Sequence, residues 1–409
     1  MSKPINAFPG YEFVYSPEDK HYHNMYRGVD LGMGGYIVGK PGMYTNVAML
    51  DIQSLHPSSI IALNYFGSYT KRYKELKDLR VAIKHGDYDT AREMFGGKLK
   101  PYLEDEADAK QLAQAAKLAL NSCYGLTAAS FLNPIRDERN KNNIVALRGS
   151  LFMKTLQDEV EAKGYNVIAI RTDSIKIENA DQEIIDFCMS FANKYDYIFE
   201  HECTYEKICL VNKSAYIAKY SKDESINGKH AGQWTATAAQ FQVPYVFKTL
   251  FSHEAITFED LCETKSVTSA LYLDMNEGLT VQKEAEDELD KRAKMSKKPD
   301  FIGYCNPAFK NVTDDELKRT IGKGHKYVFV GRVGQFCPIK PGYGGGVLVR
   351  DNHGKFAAAT GSKGYRWLES EMVKELHKED DIDRRYYDNL VNEAVHDISQ
   401  YGDFEWFAA

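Results

Sequence analysis

The chain has 409 residues, of which 43% are hydrophobic and 27% charged, the balance of a globular protein with room for two or three packed units. No apolar run approaches the roughly 18 residues of a membrane span, and no charged-then-apolar leader opens the sequence, so neither a spanning helix nor a secretory signal is expected. The net charge of −6 gives no direct vote for a polyanion ligand, and the seven cysteines are scattered without a C-x-x-C pair, which argues for a reducing, cytoplasmic setting and against structural zinc.

In chain order, residues 28–50 are glycine-rich and strand-like, with turn signals at Gly34-Gly35 and Pro41-Gly42, and end on the apolar run "NVAML". Asp51 follows it, and Pro57 then stands where a helix begins. Residues 57–125 read as a helical hairpin with a break near 96–101. Its first half, "YTKRYKELKDLRVAIK", is basic; a second basic run, "KRAKMSKK", stands at 291–298. A helix is expected over 144–163, and "YNVIAIRTDSIKIEN" reads as strand, tight turn and strand. A helix near 181–195 and strands near 198–202, 207–211 and 214–219 follow. Helices are expected to dominate 238–298. The tail reads as short strands closed by helices near 364–377 and 382–399. The pattern is α+β, with an inserted helical hairpin and a separate C-terminal unit.

Two aspartates end hydrophobic strands in Ser/Thr-rich turns, Asp51 after "VAML" and Asp173 after "VIAIRT". Either one alone reads as a turn or cap residue. Brought together they need a cation, and Mg²⁺ is held in this way by one or two carboxylates plus substrate phosphates and water. Lys117, Asn121, Tyr124 and Gly125 are spaced i, i+4, i+7, i+8 and share one helix face, cationic at one end and bare at the other. Taken alone, that face also suits an amphipathic helix with a snorkelling lysine.

In this order, "DIQSLHPSSI", "KLALNSCYG" and "RTDSI" resemble the three polymerase motifs of family B DNA polymerases, D-x-x-S-L-Y-P-S-I, K-x-x-x-N-S-x-Y-G and Y-G-D-T-D-S. "GGYIVGKPGMYTNVAMLD" is similar to the stretch that leads into the first motif, and "NKSAYIAKY" to the primer-contacting K-K-[RK]-Y element. The resemblance covers residues 28–220. It implies a right-hand polymerase: palm in 1–66 and 126–230 with an antiparallel sheet and helices, helical-hairpin fingers at 67–125, and a mainly helical thumb at 231–320. A small mixed unit at 321–409 lies outside it.

The implied activity is template-directed addition of dNMP to a primer 3′-OH with two Mg²⁺ ions, or Mn²⁺ in their place. Asp51, Asp173 and the Ile52 carbonyl would hold the metals. Ser54, Leu55 and the amides entering the Pro57 helix would cradle the triphosphate. Lys117 and Asn121 would meet the incoming nucleotide's phosphates, joined by Arg80 and Lys84, with Lys77 an alternative. Tyr124 and Gly125 would pack near the nascent pair, and Lys213 and Tyr216 would contact the primer duplex.

Four departures stand out. His56 occupies the place of the tyrosine under the sugar, so ribonucleotide acceptance is an open variant. Arg171 replaces the first Asp of the third motif and would contact primer phosphates or pair with a nearby carboxylate. Ser214 and Ala215 replace basic residues of the primer element. Glu200 and Glu202 lie at i, i+2, with Glu202 a candidate third carboxylate. With only 50 residues before Asp51, a 3′–5′ exonuclease domain of the family's kind is not expected in this sequence; the exonuclease would be a separately encoded polypeptide, or the enzyme would lack proofreading, or the sequence would be a piece of a longer chain, and a phage-type module working with other replication proteins in the host cytoplasm is expected. The partners implied are primer–template DNA and dNTPs. The competing reading is a catalytically silent primer–template-binding subunit. The retention of Asp51, Asp173 and Lys117 argues against it.

Overall fold

The computed structural model describes residues 8–136, 143–275, 279–297, 313–321, 325–352 and 354–409. It is a mixed α+β chain with antiparallel sheets, and divides into two compact units: residues up to Ala239 with Asp397–Phe407 and Ala409, and Gln240–His396 with Ala408.

The first unit opens on a small sheet of β1 (Glu12–Ser16), β2 (His21–Tyr26) and β3 (Val29–Asp30). Strands β4 (Ile37–Gly39) and β5 (Gly42–Ile52) follow, then α1 (Leu55–Ala62). The hairpin of helices is α2 (Thr70–Lys84), the short α3 (Tyr88–Glu93) and α4 (Glu106–Thr127). Helix α4 is rich in Ala, Leu, Lys and Gln, all strong helix formers, and starts at Asp105, whose carboxylate accepts from the Ala107 and Asp108 amides at 2.7 and 3.2 Å. Then come α5 (Ile144–Ala162), β6 (Asn166–Arg171), β7 (Ser174–Glu178), α6 (Gln182–Asn193), β8 (Phe199–Leu210), β9 (Tyr216–Tyr220) and β10 (Trp234–Ala236).

Seven of these strands form one antiparallel sheet in the order β10-β9-β8-β5-β7-β6-β4. The period-2 alternation of β5 divides its side chains between two faces. Ala48, Leu50 and Ile52 join Phe152 and Leu156 of α5 and Ile184 and Cys188 of α6 in a buried core. Val47 lies on the other face with Ile168, Cys203, Tyr205, Ile208 and Ala218, and Met49 packs there too. Asp51 continues the Val47–Met49 series, so alternation delivers its carboxylate to the face away from α5. The strands expected at 198–202 and 207–211 are one continuous strand, because β8 pairs with β5 from Phe199 to Leu210, with only Glu202 and Glu206 lacking a register partner in β5 or β9.

The second unit is built on a sheet of β11 (Glu263–Asp274), β12 (Tyr327–Ile339), β13 (Val347–Asn352), β14 (Lys355–Ala358) and β15 (Arg366–Glu369), ordered β14-β13-β11-β12-β15. Two expectations are corrected here. The helices expected to dominate 238–298 are present as short helical turns over 239–252 and a helix at Leu279–Lys297, but Glu263–Asp274 between them is a strand. Its "TKSVT" segment is poor in helix formers, and the strand has partners on both sides from sequence far downstream, at Tyr327–Ile339 and Val347–Asn352. The stretch expected as a helix near 364–377 begins as β15, and only Ser370–Glu375 is helical, because Arg366–Glu369 completes the sheet edge beside Phe336–Ile339. Lys298, the end of the second basic run, lies outside the described residues.

Candidate functional site

The sheet brings the two aspartates together. Asp51 pairs with Ser174 of β7 on one side and Glu200 of β8 on the other. Asp173 sits in the β6–β7 turn, and its carbonyl accepts from the Ile52 amide at 2.8 Å. That turn is tight: Thr172 has φ +58°, unusual for a β-branched residue, and its amide donates to the Tyr36 carbonyl at 3.0 Å. Gly35 is what lets Thr172 fit, since a Cβ there would lie 2.4 Å from Thr172 Oγ1. The turn signal at Gly34-Gly35 thus serves the placing of Asp173.

After Ile52 the chain passes through Gln53 and Ser54, the latter with φ +58°, into α1. Ser54 Oγ accepts from Arg80 Nη1 of α2 at 3.0 Å. Helix α4 completes the enclosure. Asp51, Ile52, Ser54, Leu55, His56, Arg80, Lys117, Asn121 and Asp173, with Pro57 and Leu120, line one cavity of 330 Å³. Two carboxylates stand on one wall. The Lys117 ammonium, which among the described residues makes no ion pair, stands on another with Asn121 and the Arg80 guanidinium.

Other expected residues lie around this cavity rather than on it. The Tyr124 ring stacks on His56 at 4.0 Å and 12°, and its hydroxyl donates to Asn143 Oδ1 at 3.0 Å. His56 Nδ1 is buried without a hydrogen-bond partner, and burial lowers the pKa of the ring, so the imidazole is neutral. At Gly125 an added Cβ would meet nothing within 4 Å, so that face of α4 is open. Arg171 is exposed at the end of β6, and Lys213 is exposed in the β8–β9 turn, its Cα 2.5 Å from where a Gly39 Cβ would be. Tyr216 is half-buried on β9. Lys84, expected one turn beyond Arg80, does not line the cavity: its ammonium contacts Glu200 at 2.5 Å and Glu202 at 3.9 Å. Lys77 is buried.

Sequence reasoning passed over two features. Glu200 gathers Lys84, His85 Nε2 at 2.8 Å and Gln53 Nε2 at 2.7 Å, tying α2 to the strand beside Asp51. The i, i+2 placement of Glu200 and Glu202 signalled a shared strand face, and Lys84 reaches both. Lys176, buried on β7, holds its ammonium 5.0 Å from the centre of the Tyr216 ring. Its signal was a lysine alternating with isoleucines in "SIKIE", which puts it on the face opposite Ile175 and Ile177.

The electrostatics follow from this crowding. Burial, then Asp173, Glu202 and Glu200, push the Asp51 carboxyl up to about 7, against the opposing pull of Lys84. Burial also raises Asp173, opposed by its own amide, Arg171 and Lys176. Burial lowers the Lys176 ammonium to about 8. Two half-buried carboxylates of raised pKa are hard oxygen donors short of positive charge, which fits a divalent cation such as Mg²⁺ better than a soft metal. Among the described residues no third acidic, His or Cys side chain converges to make a closed protein cage. Substrate oxygens and water would then fill the remaining coordination positions.

No protein-family profile matches the chain. It is 27% identical over 167 residues to DNA polymerase II of Escherichia coli (strain K12), a match taking in 34% of this chain and 19% of that protein. The chain therefore spans about a fifth of that relative's length. The structure of the family B DNA polymerase from the hyperthermophilic archaeon Pyrobaculum calidifontis aligns with a TM-score of 0.43 at 14% identity, covering 94% of this chain and 49% of that one.

Proposed function

From the relationship of this chain to the family B DNA polymerases, we propose that it is a template-directed DNA polymerase that adds dNMP to a primer 3′-OH and releases pyrophosphate. The observation that carries the reading is the 330 Å³ cavity, on which residues as far apart as Asp51, Arg80, Lys117 and Asp173 meet with carboxylates on one wall and cations on another. In this reading the seven-stranded sheet with α5 and α6 is the palm, α2–α4 are the fingers, and the second unit supplies the thumb and C-terminal part.

Asp51, Asp173 and the Ile52 carbonyl are the metal-holding groups. Two Mg²⁺ ions held there would supply activation of the primer hydroxyl and charge neutralisation on the leaving pyrophosphate. Lys117 and Arg80 neutralise the triphosphate from the fingers side, and Ser54, Leu55 and the first amides of α1 receive its oxygens, since a helix N-terminus favours anions. Arg80, already hydrogen-bonded to Ser54, takes the role first shared with Lys84, which is engaged by Glu200. Asn121 orients the incoming nucleotide. His56, held flat by Tyr124, lies under the sugar as a neutral ring, and Tyr124 and Gly125 border the nascent pair. Arg171, Lys213 and Tyr216 face the primer strand.

The testing experiment is extension of a labelled primer on a defined template with Mg²⁺. Incorporation that follows the template supports the reading. Duplex binding with no incorporation under any nucleotide supply favours the silent subunit. A second reading, acceptance of ribonucleotides, is favoured by His56 alone, whose ring is smaller than a tyrosine's and has a free nitrogen; parallel dNTP and rNTP lanes decide it.

A further inference from the structure

Two cysteines of the second unit meet at the root of its central strand pair. The β11–β12 ladder opens with Glu263 opposite Phe336, and Cys262 and Cys337 stand one step before it. Their sulfurs lie 3.6 Å apart. Directly opposed residues of an antiparallel pair have Cα atoms roughly 4.5–5.5 Å apart, inside the roughly 4.4–6.8 Å that a disulfide spans. The backbone is therefore already placed for a sulfur–sulfur bond of about 2.05 Å, and the side chains have only to rotate towards each other.

The two thiols are not alike. Cys337 is fully buried in the core that holds Phe336 and Trp367, whereas Cys262 is half-buried at its edge. The Cys262 thiol donates to the Phe258 carbonyl at 3.3 Å. Its hydrogen bond with Cys337 holds Cys262 below the usual thiol range, helped by Lys374 and opposed by burial, Glu259 and Asp260. Lys374 is fixed at this edge by Glu259 at 3.3 Å and by the Phe258 ring at 4.5 Å. The same hydrogen bond, then burial, pushes Cys337 up. Burial raises the other described cysteines: Cys123, and Cys188, Cys203 and Cys209, which reach about 12, 11 and 12. So the accessible sulfur of the pair is the one that ionises, and the sheltered one keeps its proton. An outer nucleophile beside an inner resolving thiol is the arrangement that thiol–disulfide exchange needs.

We propose that Cys262 and Cys337 are an exchangeable dithiol, a modification site for small-molecule disulfides such as oxidised glutathione. The Cys262 thiolate attacks one glutathione sulfur; the Cys262–glutathione bond forms as the glutathione disulfide breaks and one glutathione leaves. Cys337 then attacks the Cys262 sulfur, forming the Cys262–Cys337 bond and expelling the second glutathione. The two cysteine thiols are oxidised, the glutathione disulfide is reduced, and the two cysteine protons end on the two released thiols. A reducing surround keeps the pair open, and an oxidised glutathione pool closes it. Closure ties off a loop that contains β11, the helix Leu279–Lys297 and most of β12, and fixes the root of the ladder. None of this uses a residue of the Asp51 cavity, so it stands apart from the polymerase reading.

The test is incubation of the folded full chain with excess oxidised glutathione, alkylation of the remaining thiols with N-ethylmaleimide, and peptide mapping without reductant. A Cys262–Cys337 linkage is expected in most molecules, and dithiothreitol should remove it. Amides of Glu263–Ser266 and Val333–Phe336 should exchange with deuterium about tenfold more slowly once the bond is closed, and recover on reduction. Cys337→Ala should stop at the first step and retain one glutathionyl group on Cys262; Cys262→Ala should leave Cys337 unmodified. Mapping of the wild-type chain depends on no variant's folding. Both thiols left free in the wild type, glutathione held unresolved on Cys262, or Cys262 linked to another cysteine instead would each overturn the proposal. Equal yield of the linkage in urea would make it a property of the open chain and overturn it as well.

Discussion

Replacing Gly35 by alanine should displace the turn that carries Asp173. A Cβ at Gly35 would lie 2.4 Å from Thr172 Oγ1, 2.6 Å from Cγ2 and 2.7 Å from Cβ. The last of these is bonded to the backbone and cannot rotate away, so the β6–β7 turn itself must move. Gly35 has no left-handed φ, so the alanine is unstrained in itself and the whole effect is steric. Overpacking of this kind costs about 1–3 kcal/mol. If local opening governs exchange, amides of Asn166–Glu178 should then exchange with deuterium about 5- to 150-fold faster by mass spectrometry. Thr172→Gly removes all three clashing atoms and suits φ +58°. The relieved strain, about 1–3 kcal/mol, offsets the roughly 0.5–1 kcal/mol of added unfolded-chain entropy. The double variant Gly35→Ala/Thr172→Gly should therefore exchange close to wild type and regain the primer-extension rate lost in Gly35→Ala. Wild-type exchange in Gly35→Ala, or a double variant no better than the single, would refute the reasoning.

Three further expectations follow from the site. Because the Asp51 carboxyl is raised to about 7, the folded chain binds more protons there than the unfolded one between about pH 4 and 7. Stability from this group therefore falls as pH rises through that window, by at most about 4 kcal/mol. Asp51→Asn in EDTA should raise the melting temperature at pH 8 and not at pH 4, and the stabilisation by Mg²⁺, larger at pH 8 than at pH 5.5 in wild type, should vanish; a variant less stable than wild type at pH 8 in EDTA would contradict this. Glu200→Gln breaks the Lys84 and His85 contacts, whose side chains are 44% and 49% exposed, so solvent screening limits the loss to about 0.5–1 kcal/mol. Burial pushes the Glu200 carboxyl up but Lys84 and Gln53 lower it further, so this contribution is present above the unfolded carboxylate pKa and disappears as pH falls through the folded one; a variant–wild-type gap that persists at pH 3 would count against it. His56→Ala should cost about 0.5–1.5 kcal/mol through the lost stack on Tyr124. His56→Tyr should raise the preference for dNTP over rNTP in single-turnover extension, and an unchanged preference would remove His56 from the sugar site.

The convergence on the cavity was legible where local pattern and motif order agreed. An apolar strand ending on Asp51, a strand–turn–strand around Asp173 and an i, i+4 pair at Lys117 and Asn121 each specify local geometry, and the sheet needs only to bring them together. Arg80 against Lys84 was not decidable from spacing, because both sit on α2 and only the reach of Glu200 from β8 separates them. Glu200 was visible as a strand residue, but its three partners come from α2 and from Gln53, so no local pattern could show them. Strand β11 was missed for a related reason: a Thr/Ser-rich run is poor helix and modest strand by propensity, and its partners lie far downstream, from Asp274 opposite Tyr327 to Leu271 opposite Arg350. Lys176 was overlooked because a lysine in a strand reads as solvent-facing until the Tyr216 ring is seen beside it.

The most direct test of the account is primer extension with Mg²⁺ and single dNTPs, each template base queried in turn, comparing wild type with Asp51→Asn and Asp173→Asn. The account predicts addition of the complementary dNMP by wild type, and loss of addition in both variants with duplex binding retained. Addition that survives in either variant, or a folded wild-type chain that binds primer–template and adds nothing, would contradict it.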